Sequence, residues 1–253
     1  PWWGCTKVSP GCTHCYAETW ATRYGQDIWG PRKPRRVFGE KHWQEPLKWH
    51  KMAVEQQRRV RVFCASMADV FENNSSVEHE REKLWRLIAE TPMLDWLLLT
   101  KRPENMCSFA PWAGDWPANV WAMTSVENQH VAEQRIPQLL KVPAIVRGLS
   151  VEPLLGPIDL TPWLSEIHWV IVGGESGSEA RPMDPMWVRS IRDQCVATDV
   201  PFFFKQWGEW GPGNDSNSTH DTLQRLGKRI SGRLLDSRTW DELPSHDVME
   251  QVM

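Results

Sequence analysis

Short apolar runs alternate with longer amphipathic stretches along most of the chain. From about residue 60 onward, each run is rich in β-branched or other apolar residues, ends in polar residues, and precedes a segment with helical periodicity. The runs occupy residues 60–66, 96–100, 120–125, 144–150, 168–173 and 201–205, and the clearest helical segments are 77–90, 130–140 and 185–198. This alternation predicts parallel strands joined by crossover helices.

Polar side chains stand at the carboxyl end of each of these predicted strands. The reactive face of a (β/α) barrel is built from those ends, so their recurrence favours a barrel over a doubly wound sheet. We predict an α/β fold, a partial (β/α) barrel of six to seven mostly parallel strands with a short first strand before Cys5. The barrel is predicted for residues 1–210, and a flexible loop followed by a small β-rich appendage for residues 211–253.

Composition and charge narrow the class of protein only slightly. The chain has 253 residues and a net charge of −3, from 29 Lys and Arg against 32 Asp and Glu. This balance argues against a protein that coats nucleic acid non-specifically, although the basic stretch at residues 31–36 is either a phosphate contact or a solvated loop. No apolar run is long enough for a membrane span and the start lacks a signal-peptide pattern, which predicts a cytoplasmic protein.

Three cysteines near the start are the strongest chemical feature. Cys5, Cys12 and Cys15 form a C-x6-C-x2-C pattern in a loop that contains Gly and Pro. Three thiolates on one loop can converge on an inorganic centre, either an iron–sulfur cluster or zinc. Zinc needs a fourth ligand, for which His42 and His50 are distant candidates, whereas a [4Fe–4S] cluster with three cysteines keeps one iron open. The remaining cysteines are dispersed and are expected to pack: Cys64, Cys107 and Cys195.

Several further blocks extend the cysteine pattern over nearly the whole chain. They are WGCTKVSPGC (3–12) with CYAE (15–18), LTKRP (99–103), SVEPL (150–154), GGESG (173–177) and FKQWG (204–208), with a tail at 227–240. On these blocks the chain resembles the phage-type Gp37/Gp68 proteins, also called three-Cys-motif proteins, which are similar to radical S-adenosylmethionine (SAM) enzymes. Two features depart from most radical SAM enzymes: the first gap has six residues rather than three, and the Gly-Gly-Glu sequence follows a late strand.

The resemblance implies a cofactor pair and a type of reaction. The cysteine loop would hold a [4Fe–4S] cluster and SAM would chelate the open iron. Reduction by an electron donor would then release a 5′-deoxyadenosyl radical that abstracts hydrogen from a substrate. Because phages often modify their DNA bases, a nucleotide or DNA base is the expected substrate.

The strand ends supply the expected site residues around that cofactor pair. Ser125 and Glu127 are expected to face the SAM ribose, and Arg147 to pair with the methionine carboxylate if it points into the barrel. The full set of SAM-binding candidates is Tyr16, Ser125, Glu127, Arg147, Ser150 and Glu152. Candidates for catalysis or substrate contact are Asp69, Lys101, Glu175 and Lys205. For each of them a hydrogen bond within the barrel wall or a salt bridge at its rim is the alternative.

Two other functions and a surplus of tryptophan complete the set of expectations. The cysteines are also compatible with a zinc-stabilised, non-catalytic nucleic-acid-binding or adaptor protein, and the rim carboxylates with a barrel hydrolase that has no cluster. The chain has 17 Trp against 2 Tyr. Most of the Trp are expected to pack, whereas exposed ones such as Trp29, Trp112 or Trp116 would stack on a base.

Overall fold

The computed structural model describes residues 1–213 and 222–244. The strands are β1 (Trp2–Trp3), β2 (Arg36–Val37), β3 (Val60–Cys64), β4 (Leu94–Thr100), β5 (Val120–Ser125), β6 (Val146–Val151), β7 (Trp169–Gly173), β8 (Phe202–Gln206), β9 (Trp210–Pro212) and β10 (Leu223–Arg225). The helices are α1 (Tyr16–Arg23), α2 (Glu40–Trp43), α3 (Glu45–Glu55), α4 (Glu78–Glu90), α5 (Met106–Phe109), α6 (Gln129–Leu139), α7 (Pro185–Ala197) and α8 (Lys228–Ser231).

A six-stranded parallel sheet forms the body of the molecule. Its order, β3-β4-β5-β6-β7-β8, follows the chain, so every strand lies beside the one that precedes it in sequence. Ser125 at the end of β5 is in register with Ser150 near the end of β6, which places the polar strand ends along one edge. The sheet therefore confirms the predicted α/β partial barrel, and each predicted strand lies within a few residues of an observed one.

The two faces of the sheet have separate apolar clusters because successive side chains of a strand point to opposite sides. Residues such as Leu98 and Ala122 belong to the large core beneath the helices. Trp121, Met123 and Trp169 belong to a smaller cluster on the opposite, concave face. Trp121 and Trp169 are buried and pack edge to face with centroids 5.9 Å apart. They fill the concave face at the amino ends of the strands and leave the carboxyl ends open.

The amino-terminal strand packs against the barrel through the buried Trp2 and is bridged to it just after β1. β1 pairs antiparallel with β2 in a separate two-stranded sheet. The chain then reaches the barrel at Gly4, which bridges Ala68 in parallel and donates its N–H to the Met67 carbonyl at 3.0 Å. The cysteine loop therefore begins beside the carboxyl end of β3.

The carboxyl-terminal extension is less β-rich than predicted. Its described part contains the β9–β10 hairpin, the short helix α8 and isolated bridges, among them one between Phe203 and Asp241. The chain turns at Asp236 and Ser237, both of which have positive φ. Most of the predicted flexible loop at 211–219 lies outside the described residues, which omit 214–221 and 245–253. No helix in the described ranges is long and apolar enough to cross a membrane.

Candidate functional site

A cavity of about 480 Å³ opens at the carboxyl ends of the barrel strands. Its wall includes the thiol-bearing residues Cys5, Cys12 and Cys15 of the loop after β1. The rest of the wall includes side chains from the strand ends, and Phe63 and Leu99 contribute an apolar part. The fold thus brings the cysteine loop and the polar strand ends together around one space.

The three cysteines are free thiols and half-buried. Burial, reinforced by the nearby Asp69 carboxylate, raises the pKa of the Cys5 thiol to about 12. The Arg102 guanidinium acts in the opposite direction and donates to Cys5 Sγ at 3.7 Å. Within residues 1–213 and 222–244, no three His, Cys, Asp or Glu side chains are grouped as ligands of a single metal ion.

Arg102 fixes the cysteine loop to the ends of β3 and β4. Its guanidinium donates to Asp69 Oδ2 at 2.8 Å and to the Thr6 carbonyl at 2.7 Å. Asp69 also accepts hydrogen bonds from Phe71 N, Thr100 Oγ1 and Lys101 N, so both its oxygens are occupied. Asp69 lines the cavity, but its carboxylate is bound by protein donors.

A second buried ion pair lies behind the first. Arg35 is almost fully buried and binds Glu72 through two hydrogen bonds of 2.9 and 2.7 Å. Arg35 also donates to Thr6 Oγ1 at 3.0 Å and to main-chain carbonyls of the preceding segment, including that of Ile28. Of the basic stretch at 31–36, Arg35 is therefore internal, and Lys33 is paired with Asp27.

Glu127 holds the loop from the end of β5 and does not line the cavity. Its side chain is fully buried, with Oε1 accepting from Gly11 N at 3.0 Å and Oε2 pairing with Arg135 at 3.0 Å. Arg135 also donates to the Ser125 carbonyl. The expectation that Glu127 faces the SAM ribose is wrong, because both carboxylate oxygens are directed to these partners behind the loop.

Glu175 holds the loop from the end of β7. Arg181 forms a two-pronged pair with it at 2.9 and 2.6 Å and also donates to the Pro10 carbonyl. His14, between two of the cysteines, lies with Nδ1 3.2 Å from Glu175 Oε2. Burial alone would raise the pKa of Glu175, but the hydrogen bonds from Arg181 and His14 outweigh burial and lower it.

A chain of polar contacts joins the ends of β6 and β8 in the cavity wall. Ser150 Oγ donates to Glu152 Oε2 at 3.1 Å, and Lys205 Nζ lies 3.0 Å from Glu152 Oε1. A Cβ atom at Gly173 would lie only 2.6 Å from Glu152 Oε1, so glycine is required there for the carboxylate to take this position. Ser125, Lys101 and other predicted residues complete the wall, while Tyr16 lies at its edge and donates its hydroxyl to the Ser66 carbonyl at 2.9 Å.

Arg147 lies outside the cavity, contrary to the expectation that it pairs with the methionine carboxylate. Ser150 faces the cavity from β6, and Arg147 stands three positions earlier, so alternation directs it to the other face. Its guanidinium donates to the carbonyls of Glu166 and Leu140. Arg147 therefore ties the amino end of β6 to neighbouring loops.

Of the tryptophans expected to stack on a base, one lines the cavity and another is a core residue. Trp29 lines the cavity. Trp116 is 4% exposed and packs against Trp112, which in turn packs against Trp85, so Trp116 is a core residue and is not available to a base.

The comparisons with known proteins agree with the extent of the motif blocks. A family model described as "Protein of unknown function (DUF5131)" matches residues 1–244. The chain belongs to this family. No curated protein matches this chain. The resemblance to the phage-type Gp37/Gp68 proteins remains a prediction.

Solved structures similar to this DUF5131 protein include those of spore photoproduct lyase. One mutant of the lyase is 14% identical with a TM-score of 0.48, over 81% of this chain and 75% of that chain. The lyase complexed with dinucleoside spore photoproduct is 15% identical with a TM-score of 0.44, over 79% and 60%. A further mutant is 16% identical with a TM-score of 0.44, over 69% and 54%. The chain thus spans a little more than half the length of some of these lyase chains.

Sequence reasoning missed the arginines that organise this DUF5131 site. Arg102 stands inside the LTKRP block and Arg181 follows the GGESG block by a few residues, so both lay next to recognised motifs. Their partners Asp69 and Glu175 are site candidates that the sequence did identify. A buried carboxylate needs a cationic partner, and this requirement was the available signal for both pairs.

Proposed function

We propose that this protein is a radical SAM enzyme whose [4Fe–4S] cluster is held by Cys5, Cys12 and Cys15. The observation that carries the proposal is that one loop places three free thiols on the wall of one cavity, which the polar strand ends of a partial barrel also line. When bound, the cluster and SAM supply a 5′-deoxyadenosyl radical that abstracts hydrogen from the substrate. The resemblance to three-Cys-motif proteins supports the same cofactor pair.

The donor set suits this group. Thiolates are the ligands that iron–sulfur clusters use, and three of them leave one iron for another ligand. The Arg102 guanidinium beside Cys5 Sγ compensates thiolate charge, in a site where burial otherwise disfavours it. Arg102, Glu127 and the Glu175–Arg181 pair each contact the loop backbone or its cysteine, so they hold the three thiols in position.

The polar strand ends that line the cavity are proposed to bind SAM. Ser125 and Ser150 present hydroxyls that suit the ribose or the methionine group, and the Glu152 carboxylate suits the amino group. Tyr16, directly after the last cysteine, is proposed to border the same region. Asp69 and Glu175, whose oxygens are bound by protein donors, act as positioning residues.

The charge of the cavity supports a nucleotide or DNA base as the substrate. Five Lys or Arg side chains line the cavity against three carboxylates, although the chain as a whole is negative. Among the described residues, Lys101 and Lys228 pair with no carboxylate and are proposed to bind phosphate, together with Lys205. Trp29 in the wall offers a ring on which a base can stack.

Anaerobic reconstitution tests the proposal. Iron and sulfide should give a brown protein that cleaves SAM to 5′-deoxyadenosine and methionine when dithionite is added. Cys12→Ala should lose both the colour and the cleavage, whereas Cys107→Ala, which changes an exposed free cysteine outside the loop, should keep both. A colourless protein that binds one zinc ion and leaves SAM intact would overturn the proposal in favour of a zinc-stabilised module.

A further inference from the structure

Helix α1 carries a row of exposed aromatic side chains that starts at the cavity. Tyr16, Trp20 and Tyr24 are spaced by four residues and are 59%, 47% and 61% exposed. Tyr16 also lines the cavity, so the row extends outward from its edge. We name these three residues the aromatic row. Residues four apart in a helix lie on the same face, so the three rings share one surface.

The exposure of this row is unusual for the molecule. Both tyrosines of the chain belong to it, whereas many of the tryptophans, such as Trp121 and Trp169, are buried. Trp20 and Tyr24 support each other edge to face with centroids 5.2 Å apart, and Trp20 also contacts Trp3 at 6.4 Å. The row is thus an ordered surface with its rings in solvent.

Cationic groups flank the aromatic row. Arg23 lies in the last turn of the same helix. The Arg36 guanidinium stands 4.8 Å from the centre of the Trp3 ring, which itself contacts Trp20. Exposed rings interleaved with arginines are the arrangement that binds single-stranded nucleic acid, by stacking of bases and attraction of phosphates. The rise between successive members, about 6 Å for four helical residues, is compatible with consecutive bases of an extended strand.

We propose that the aromatic row binds the single strand that flanks the nucleotide held in the cavity. The inference rests on the nucleotide substrate of the proposed function. The aromatic row adjoins the cavity at Tyr16. A nucleic-acid strand with one base in the cavity must continue along an adjoining surface, and this is why we assign a single strand to the row. Trp20 and Tyr24 are the stacking platforms and Arg23 and Arg36 contact the phosphates.

Fluorescence anisotropy with a labelled oligothymidine tests the proposal on the full chain. Trp20→Ala and Tyr24→Ala should each weaken binding about 5- to 150-fold, the loss of one base–aromatic stack. Trp20→Phe and Tyr24→Phe keep a ring and should retain most of the affinity, which separates stacking from a folding defect. Trp49→Ala removes an exposed tryptophan of α3 outside the row and should bind as the unchanged protein does.

The possible results separate a failure of the aromatic-row proposal from a failure of the proposed SAM chemistry. Unchanged oligothymidine affinity in the alanine variants would overturn the aromatic row while leaving SAM cleavage intact. Selective loss in those variants would support the row even if the reconstituted protein failed to cleave SAM. Alanine variants that bind the oligonucleotide normally but lose a protein contact, seen as reduced self-association, would show that the row is a protein interface and overturn the proposal.

Discussion

Replacement of Arg102 by Met tests whether the buried charges at the cysteine loop set the stability of the site. The Arg102 side chain is 9% exposed and the Asp69 side chain 7%. Removal of one partner of a buried pair costs about 3–5 kcal/mol, because the other charge is left uncompensated. Asp69 keeps three uncharged donors and Glu72 keeps Arg35, so we expect the lower end, about 3 kcal/mol. In a chain of this size that lowers the Tm by roughly 6–12 °C.

The measurement is urea and thermal unfolding of the reduced, cluster-free protein. Asp69→Asn and the double variant Arg102→Met/Asp69→Asn complete a double-mutant cycle. The coupling energy between the two residues should be about 1–3 kcal/mol. Arg86→Met is the matched control, since Arg86 and Glu82 are 68% and 69% exposed and 3.9 Å apart. An exposed pair of that kind contributes about 0–1 kcal/mol. The reasoning would be refuted if Arg102→Met lowered the free energy of unfolding by less than about 1 kcal/mol. It would also be refuted if the effects of the two single substitutions added up to that of the double variant within about 0.5 kcal/mol.

Three further predictions concern other contacts of the site and its frame. Gly173→Ala should cost about 1–3 kcal/mol by displacing Glu152 from Lys205, whereas Gly114→Ala, where a Cβ meets nothing within 4 Å, should be neutral in urea unfolding. The pKa of Glu175 is lower in the folded protein than in the unfolded chain, so its ion pair stabilises the fold above the unfolded pKa, and this stabilisation is lost as the pH falls through the folded pKa. The difference in unfolding free energy between the unchanged protein and Glu175→Gln should therefore shrink in acid. Asp184→Ala, which removes the acceptor of the Met186 N–H at the start of α7, should cost about 1 kcal/mol and Asp184→Asn much less, measured by thermal unfolding.

Much of the fold was predictable because its parallel strands are buried on both faces and read as continuous apolar runs. β7, whose residues are all buried, is an example. The start of α7 was equally predictable from its residue types, because Asp184 accepts a hydrogen bond from Met186 N and Pro185 occupies the first helical position. The strands β1 and β2 have two residues each, which is too short for a periodic pattern; a strand before Cys5 was predicted, whereas β2 was not.

The site was predictable in its strand ends but not in its ion pairs. The role expected of Arg147 required its side chain to point into the barrel, whereas alternation from Ser150 places it on the other face, so its position outside the cavity follows from the sequence. Glu127 lies beyond the end of β5, where the strand alternation no longer determines direction. The Arg35–Glu72 pair joins residues 37 positions apart through a folded loop, and no local pattern specifies such a contact.

The pairs that were not predictable explain how a loop of irregular structure can present three thiols in fixed positions. Arg102 holds it beside β3 and β4, Glu127 beside β5, and Arg181 beside β7. Each contact satisfies a loop carbonyl, N–H or thiol with a charged group, and such contacts are stronger than neutral ones. A loop ordered in this way has little conformational entropy left to lose when a group binds. The carboxylates that supply this order are neutralised by arginine, so the lysines and Glu152 determine the charge that a substrate meets in the cavity.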